Sequence, residues 1–372
     1  MSTYDAIVLG TGGVGSAALH HLAARGANVL GIDRFMPPHS RGSSHGQSRI
    51  IRQAYFEHPN YTPLLQESYR LWLDLACLVN RQLYEEVGVL QMGPPEGIVV
   101  PGVVRSAKEH GLNVEQLVPE EIRRRWPALG VPDGYLGVLE QKAGYLFVES
   151  CVGAHLEMAL RSGAELRCPV TVVSWQPGPP ARVQTTDGEL VADKLIVTAG
   201  AWAGELLSDL GLNLEVRRKS MFWYELDTPL DSTVRDLPCY FYELPDGNYY
   251  GFPQIDERGV KVCEHTGGQH IDDPLQVERD IEAEDLRRIE TFLAECLPGI
   301  PNRRSDHAVC YYTMSPDENF IVDRHPGHPQ VVFAAGLSGH GFKFTPVLGK
   351  AMADLALDGS TELPIDFLAL NS

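Results

Sequence analysis

The chain has 372 residues, 44% of them hydrophobic and 22% charged, which is enough for a sizeable core and two domains and excludes a disordered chain or a small stapled module. With 49 acidic against 31 basic side chains the formal net charge is −18, which argues against a duty on nucleic acid or an anionic membrane, so an anionic ligand needs a local cationic site. Seven cysteines cannot all pair and none lies in a CxxC spacing, and the apolar run over 6–19 is short, broken by glycines and stopped by His20-His21. No signal peptide or membrane span is expected, and the protein is read as soluble, cytoplasmic and without a metal.

Residues 5–9 are apolar and β-prone, and Gly10-Thr11-Gly12-Gly13-Val14-Gly15 follows them. A helical pattern then runs through Ala17, Leu19, Leu22 and Ala23 to Gly26, and a second strand over 28–32 ends in Asp33, 18 residues after Gly15. Strand, G-x-G-x-x-G, helix, strand and acid in this order predict a dinucleotide-binding fold. Gly10 permits the tight turn, Gly12 lets backbone N–H groups approach a pyrophosphate, Gly15 allows close helix packing, and Asp33 can accept from ribose hydroxyls.

The loop over 37–48 is rich in backbone donors and small hydroxyls, which suits the second half of a long flavin cofactor better than a nicotinamide domain does. Arg49 and Arg52 follow at i, i+3 and would share a face if 49–54 begins a helix. Returns to the first sheet are expected at 166–173, at a hairpin turning on Asp187-Gly188, at 194–200 and at 331–336. Between them lie aromatic strands, a turn at 245–248 and an amphipathic helix near 283–296.

The strand over 260–265 alternates, with Val260 and Val262 on one face and Lys261, Cys263 and His265 on the other, so the lysine and the histidine could meet at one cavity. Tyr250 and Phe252 share a face, as do Cys310 and Tyr312. The glycine-rich run over 336–344 sits at a strand-to-helix junction, where free N–H groups can bind an electron-rich ligand edge and Lys343 projects beside it. His325-Pro326-Gly327-His328 reads as a turn.

These residues resemble the monomeric sarcosine oxidase and N-methyltryptophan oxidase family of the D-amino-acid-oxidase-like flavoproteins. The likeness spans nearly the whole chain and rests on the segments at 36–39, 42–46, 49–52, 249–253, 265–269, 315–318 and 336–344. Phe222-Trp223-Tyr224 and Gly267-Gly268 look more like the N-methyltryptophan branch. Ser44, Gln47, Ser48 and Gln53 depart from the pattern, standing where a histidine, an acid, a threonine and a histidine are usual.

The resemblance implies an α/β protein with a Rossmann-like FAD domain (1–86, 146–216 and 308–372) and a substrate domain on a largely antiparallel sheet (87–145 and 217–307). It implies FAD linked covalently through Cys310, Lys261 activating oxygen, Arg49 beside the flavin, and Arg52 and Lys343 clamping a carboxylate. Tyr250, His265 and Tyr312 would line the substrate cavity. Cofactor contacts are expected at Gly10, Gly12, Gly13, Val14, Gly15, Asp33, Arg34, Ser40, Gly42, Ser43, His45, Ser48, Arg49, Val170, Gly200, Gly336, Gly339, His340, Gly341 and Lys343. The implied activity is that of a monomeric oxidase taking an N-methyl L-amino acid, sarcosine or N-methyl-L-tryptophan, and oxygen to the amino acid, formaldehyde and hydrogen peroxide. A cyclic secondary amino acid such as pipecolate as substrate, a nicotinamide dehydrogenase and a non-catalytic flavin-binding subunit are the alternatives.

Overall fold

The computed structural model describes residues 3–226 and 236–370; the part of the expected substrate domain at 227–235 lies outside them. The first sheet has at its centre Thr3–Leu9, flanked by Val29–Ile32 and Gly188–Val197, all parallel. Glu165–Arg167 extends one edge, and on the other side Gly188–Val197 pairs in its first half with Ala181–Thr185 and in its second with His328–Ala335. The Asp187-Gly188 hairpin is present as expected.

Alternation sends Ala6, Val8, Ile196 and Val332 to one face, against the helices Gly13–Ala24, Val148–Arg161 and Thr345–Leu357. Ile7, Leu9, Leu195 and Phe333 point to the other face, which is closed by Ala181, Val183 and the short helical turns after Gly200. A sheet covered on both sides needs apolar residues in both phases, which is why these strands read as unbroken hydrophobic runs.

Helix Gly13–Ala24 packs on Val148–Arg161 through three histidines. His20 Nδ1 lies 3.2 Å from His155 Nδ1, and His155 Nε2 is buried without a partner among the described residues. Burial lowers all three, His21 to about 4 and His155 well below its ordinary value. His21 and His155 stay neutral in the fold where the unfolded chain takes a proton below about 6.5, so stability is lost as pH falls below about 6.5. Denaturant titrations should show His155→Leu losing less stability than the parent chain between pH 6.5 and 4.5. An unchanged pH slope would exclude His155 as a source of acid lability.

The second sheet runs from Glu115–Leu117 through Leu136–Glu140, Val89–Gly93, Cys239–Leu244, Gly247–Phe252 and Val260–Glu264 to Glu215–Tyr224, which also pairs with Arg304–Met314. One face, with Tyr240, Tyr242, Tyr249, Val260 and Val262, is covered by the amphipathic helix Ala283–Cys296. The opposite face carries Phe241, Tyr250, Phe252, Cys263, Cys310 and Tyr312, and it is this face that looks toward the first sheet.

Two local expectations need correction. Arg49 begins no helix: Ser48–Ile51 is a strand paired with Gly144–Phe147, because β-branched Ile50 and Ile51 fit a half-buried ladder. The expected boundaries at 146, 217 and 308 cut through the strands Gly144–Phe147, Glu215–Tyr224 and Arg304–Met314, the last two of which pair with each other from end to end across one bulge. Among the described residues no helix is long and apolar enough to cross a membrane.

Candidate active site

A cleft between the sheets begins at the glycine turn. Gly10 has φ +90°, and a Cβ on Gly15 would lie 1.8 Å from Gly10 O, so only glycines let the helix start this close to the strand. A Cβ on Gly12 would meet nothing nearer than Ser44 Oγ at 3.8 Å, so the turn faces open space. Gly10, Gly12, Gly13, Val14, Asp33, Arg34, Gly42, Ser43, Arg49, Val170, Gly200, Gly336, Gly339 and Gly341 line this open cleft, which spans about 1480 Å³ with the solvent at its mouth included. A long channel starting at a helix N-terminus and ending among glycine-rich backbone fits FAD, with the pyrophosphate at the Gly12–Gly13 end.

Asp33 is already engaged. Its Oδ2 accepts from Thr11 N at 2.8 Å and Thr11 Oγ1 at 3.1 Å, while Oδ1 accepts from Phe35 N and faces His39 Nε2. Burial opposes its charge, but these donors outweigh it and hold the carboxyl below its ordinary value. Asp33 therefore fixes the turn as well as offering an acceptor. The Arg34 guanidinium stacks 5.0 Å from the Trp202 ring at the same end, and Ser44, one of the departures from the family pattern, accepts the Gly13 N–H at 3.1 Å.

At the far end the cleft shares Arg49, Tyr312, Gly339 and Phe342 with a second cavity, which is also lined by Arg52, Glu57, Phe241, Tyr250, His265, His340 and Lys343. Arg52 Nη2 donates 2.8 Å bonds to both Glu57 oxygens, yet its Nε is buried and has no partner among the described residues. Lys343 Nζ donates to His340 O at 2.7 Å and reaches the Tyr55 hydroxyl at 3.4 Å. Burial pushes Lys343 well below the usual lysine value, with the Arg52 charge the next cause. Two crowded cations and an orphaned guanidinium N–H in an aromatic chamber make a site for an anion. His265, lowered to about 3 by burial and then by Lys219, stays neutral and meets the Tyr312 hydroxyl at 3.4 Å.

Lys261 is elsewhere. The sequence lets it share a cavity with His265, but its side chain runs behind the wall, donating to Gly46 O at 2.6 Å and Ser48 O at 3.0 Å, with the Phe252 ring 4.8 Å from Nζ. Burial lowers it to about 7. Cys310 is likewise buried in the wall, in register with Lys219. Ser40 and His45 line a separate groove beside Gln47 and Trp223, Ser48 is fully buried near Lys261, and Gly15 lies under its turn.

Sequence reasoning missed Glu57, Tyr55, Lys219 and Glu149, the last accepting the Gly46 and Gln47 N–H groups. The only signal for Glu57 was its place five residues after Arg52. Gln47, which stands where the family usually has an acid, bridges Trp223 Nε1 and Asp256. The 325–328 turn is formed as expected, and Asp209 brings a third ligand-type side chain to its two histidines. Gly327 N–H donates to His325 Nδ1, so the proton sits on Nε2 and is given to Asp209, a hydrogen-bonded pair rather than an open ligand set.

Residues 5–355 match the family described as FAD dependent oxidoreductase. The chain is 42% identical to the monomeric sarcosine oxidase of Streptomyces avermitilis, covering 98% of this chain and 96% of that protein. It is 40% identical to an N-methyl-L-tryptophan oxidase of Yersinia pestis, covering 99% and 98%. Among solved structures it superposes on NikD, described as an unusual amino acid oxidase essential for nikkomycin biosynthesis, with a TM-score of 0.89 and 25% identity over 99% of this chain and 98% of that one. The chain belongs to the FAD-dependent oxidoreductases, in the group that holds the sarcosine and N-methyl-L-tryptophan oxidases.

Proposed function

We propose that this flavin-dependent oxidase demethylates a small N-methyl L-amino acid, giving the amino acid, formaldehyde and hydrogen peroxide. The observation that carries the reading is the partnerless Nε of Arg52 beside Lys343, in a chamber that shares Arg49, Tyr312 and Gly339 with the cofactor cleft. FAD supplies the two-electron oxidation of the amine and the return of those electrons to oxygen.

The protein's own groups do the rest. Arg52 and Lys343 hold the carboxylate, which orients the N-methyl group toward the shared wall. Tyr250, Phe241 and Tyr312 exclude water, and the neutral His265 adds no charge, so the amine binds as its free base. With Glu57 on Arg52 the chamber spans about 450 Å³ with its opening included, far less than the cofactor cleft, which favours a small side chain. Identities of 42% and 40% do not separate the two branches. All seven cysteines are free, which supports a reducing compartment.

Screening N-methyl and cyclic secondary amino acids with a peroxide readout tests the reading, and no peroxide from any carboxylate-bearing amine would overturn it. Cys310 is the proposed point of flavin attachment, buried in the wall beside Arg49. Acid precipitation should leave a yellow pellet for the parent chain and a colourless one for Cys310→Ser, with the flavin in the supernatant. A colourless parent pellet would show that no covalent bond forms.

A further inference from the structure

Tyr55 lies outside the chamber and has no solvent exposure, yet it touches both cations of the clamp. Its ring centroid is 4.6 Å from Arg52 Cζ, under the guanidinium, and its hydroxyl is 3.4 Å from Lys343 Nζ. The same hydroxyl is 2.6 Å from His340 Nδ1, and His340 Nε2 is 3.0 Å from Glu318 O. A carbonyl can only accept, so Nε2 carries the imidazole proton and donates it to Glu318. A neutral imidazole then has a bare Nδ1, which must accept from the Tyr55 hydroxyl. The phenol oxygen is left with its lone pairs toward Lys343, whose ammonium donates to them. The order Lys343, Tyr55, His340, Glu318 thus allows one arrangement of protons.

The titration of the members agrees with this order. His340 is lowered to about 4, chiefly by burial, so it is neutral at working pH. Tyr55 is raised well above its ordinary value by burial and then by the nearby Glu57 carboxylate, so the phenol keeps its proton. The ring cannot swing away. Phe344 meets it edge-on at 5.4 Å, Tyr61 lies at 5.3 Å, and Ser106 Oγ accepts the Tyr55 backbone N–H.

We propose that Tyr55 is the positioning residue of the carboxylate clamp, setting the separation of Arg52 with its ring and of Lys343 with its hydroxyl, and that His340 orients that hydroxyl. The inference rests on the carboxylate reading of the chamber and deepens it by naming what makes the clamp selective. Two like charges repel and would splay apart in an empty chamber, and a single rigid phenol between them holds the gap that a planar carboxylate spans. Lys343 spends one N–H on His340 O and one on Tyr55, leaving the third for a ligand.

The test uses the flavin-loaded enzyme and reads binding of propionate and of propionamide from the shift they cause in flavin absorption, with KM and kcat measured in parallel. Tyr55→Phe keeps the ring and removes the hydroxyl. It should weaken propionate and raise KM for the amino acid substrate by about 10-fold, leaving propionamide and kcat within about twofold. In a Lys343→Met background the same change should add less than about twofold, because its effect passes through that ammonium. His340→Leu should reproduce the acid-specific loss, and His340→Gln, which can donate to Glu318 and accept from Tyr55, should restore most of it. Equal loss for acid and amide, or full additivity with Lys343→Met, would overturn the proposal. If the parent enzyme binds propionate no better than propionamide, the carboxylate reading itself falls, an outcome distinct from a parent that discriminates and a Tyr55→Phe variant that does so equally well.

Discussion

Lys261→Met is expected to slow reoxidation of the reduced enzyme by oxygen by ~10²- to 10³-fold while leaving anaerobic reduction by substrate nearly unchanged. The ammonium is buried, lies over Phe252 and Trp223, and is held by the carbonyls of Gly46 and Ser48 and, more loosely, by the Ser48 hydroxyl. No carboxylate pairs with it among the described residues, and burial has brought it down to about 7. A charge so poorly neutralised is a strong stabiliser of any anion formed beside it, and one-electron reduction of oxygen forms such an anion. Preorganised charges of this kind contribute about 2.7–4 kcal/mol. Methionine keeps the length of the stem and removes the charge. Stopped-flow traces showing reduction crippled and reoxidation intact would assign Lys261 to amine oxidation, and Arg49 or His265 would become the first candidates for oxygen.

Lys343→Met is expected to weaken a carboxylate substrate by ~10- to 150-fold and its amide far less, from the roughly 1.5–3 kcal/mol of a charge-assisted contact. The variant should also bind the acid with a KM that rises while kcat changes less, since the contact is made before and during the reaction alike. Arg52 remains, with its Nε free for one oxygen, so binding is weakened and not abolished. Equal loss for acid and amide would remove Lys343 from the clamp.

What the sequence could and could not show follows from the range of the interactions involved. The glycine turn and Asp33 were legible because tight turns restrict residue type within a few positions of each other. The opposed faces of Val260–Glu264 and the helix Ala283–Cys296 were legible because periodicity reports burial directly. The spacing of Arg49 and Arg52 suggested a helix, but the ladder with Gly144–Phe147 decided otherwise, a pairing almost a hundred residues away. Both arginines still reach the chamber, Arg49 from within the strand and Arg52 from beyond its end. The turning of Lys261 behind the wall could not be read from alternation, which gives a face but not what covers it. Glu57 and Tyr55 carry no motif and gain their roles from Arg52, Lys343 and His340, the last two brought in from the other end of the chain.

The unbroken strand Arg304–Met314 has a further consequence. It lies in the substrate sheet, carries Cys310 and Tyr312, and Thr313 O accepts the Ser338 N–H from the glycine-rich return of the first sheet. One stretch of backbone therefore serves as a common datum for the glycine-rich end of the cleft and for the chamber wall. Changes at the far side of the chamber, at Phe241 or its neighbours on Cys239–Leu244, can reshape the chamber without moving this strand. Such an arrangement lets substrate range drift while the chemistry stays fixed, and random variation followed by selection for new amines should gather at that far wall and spare this strand.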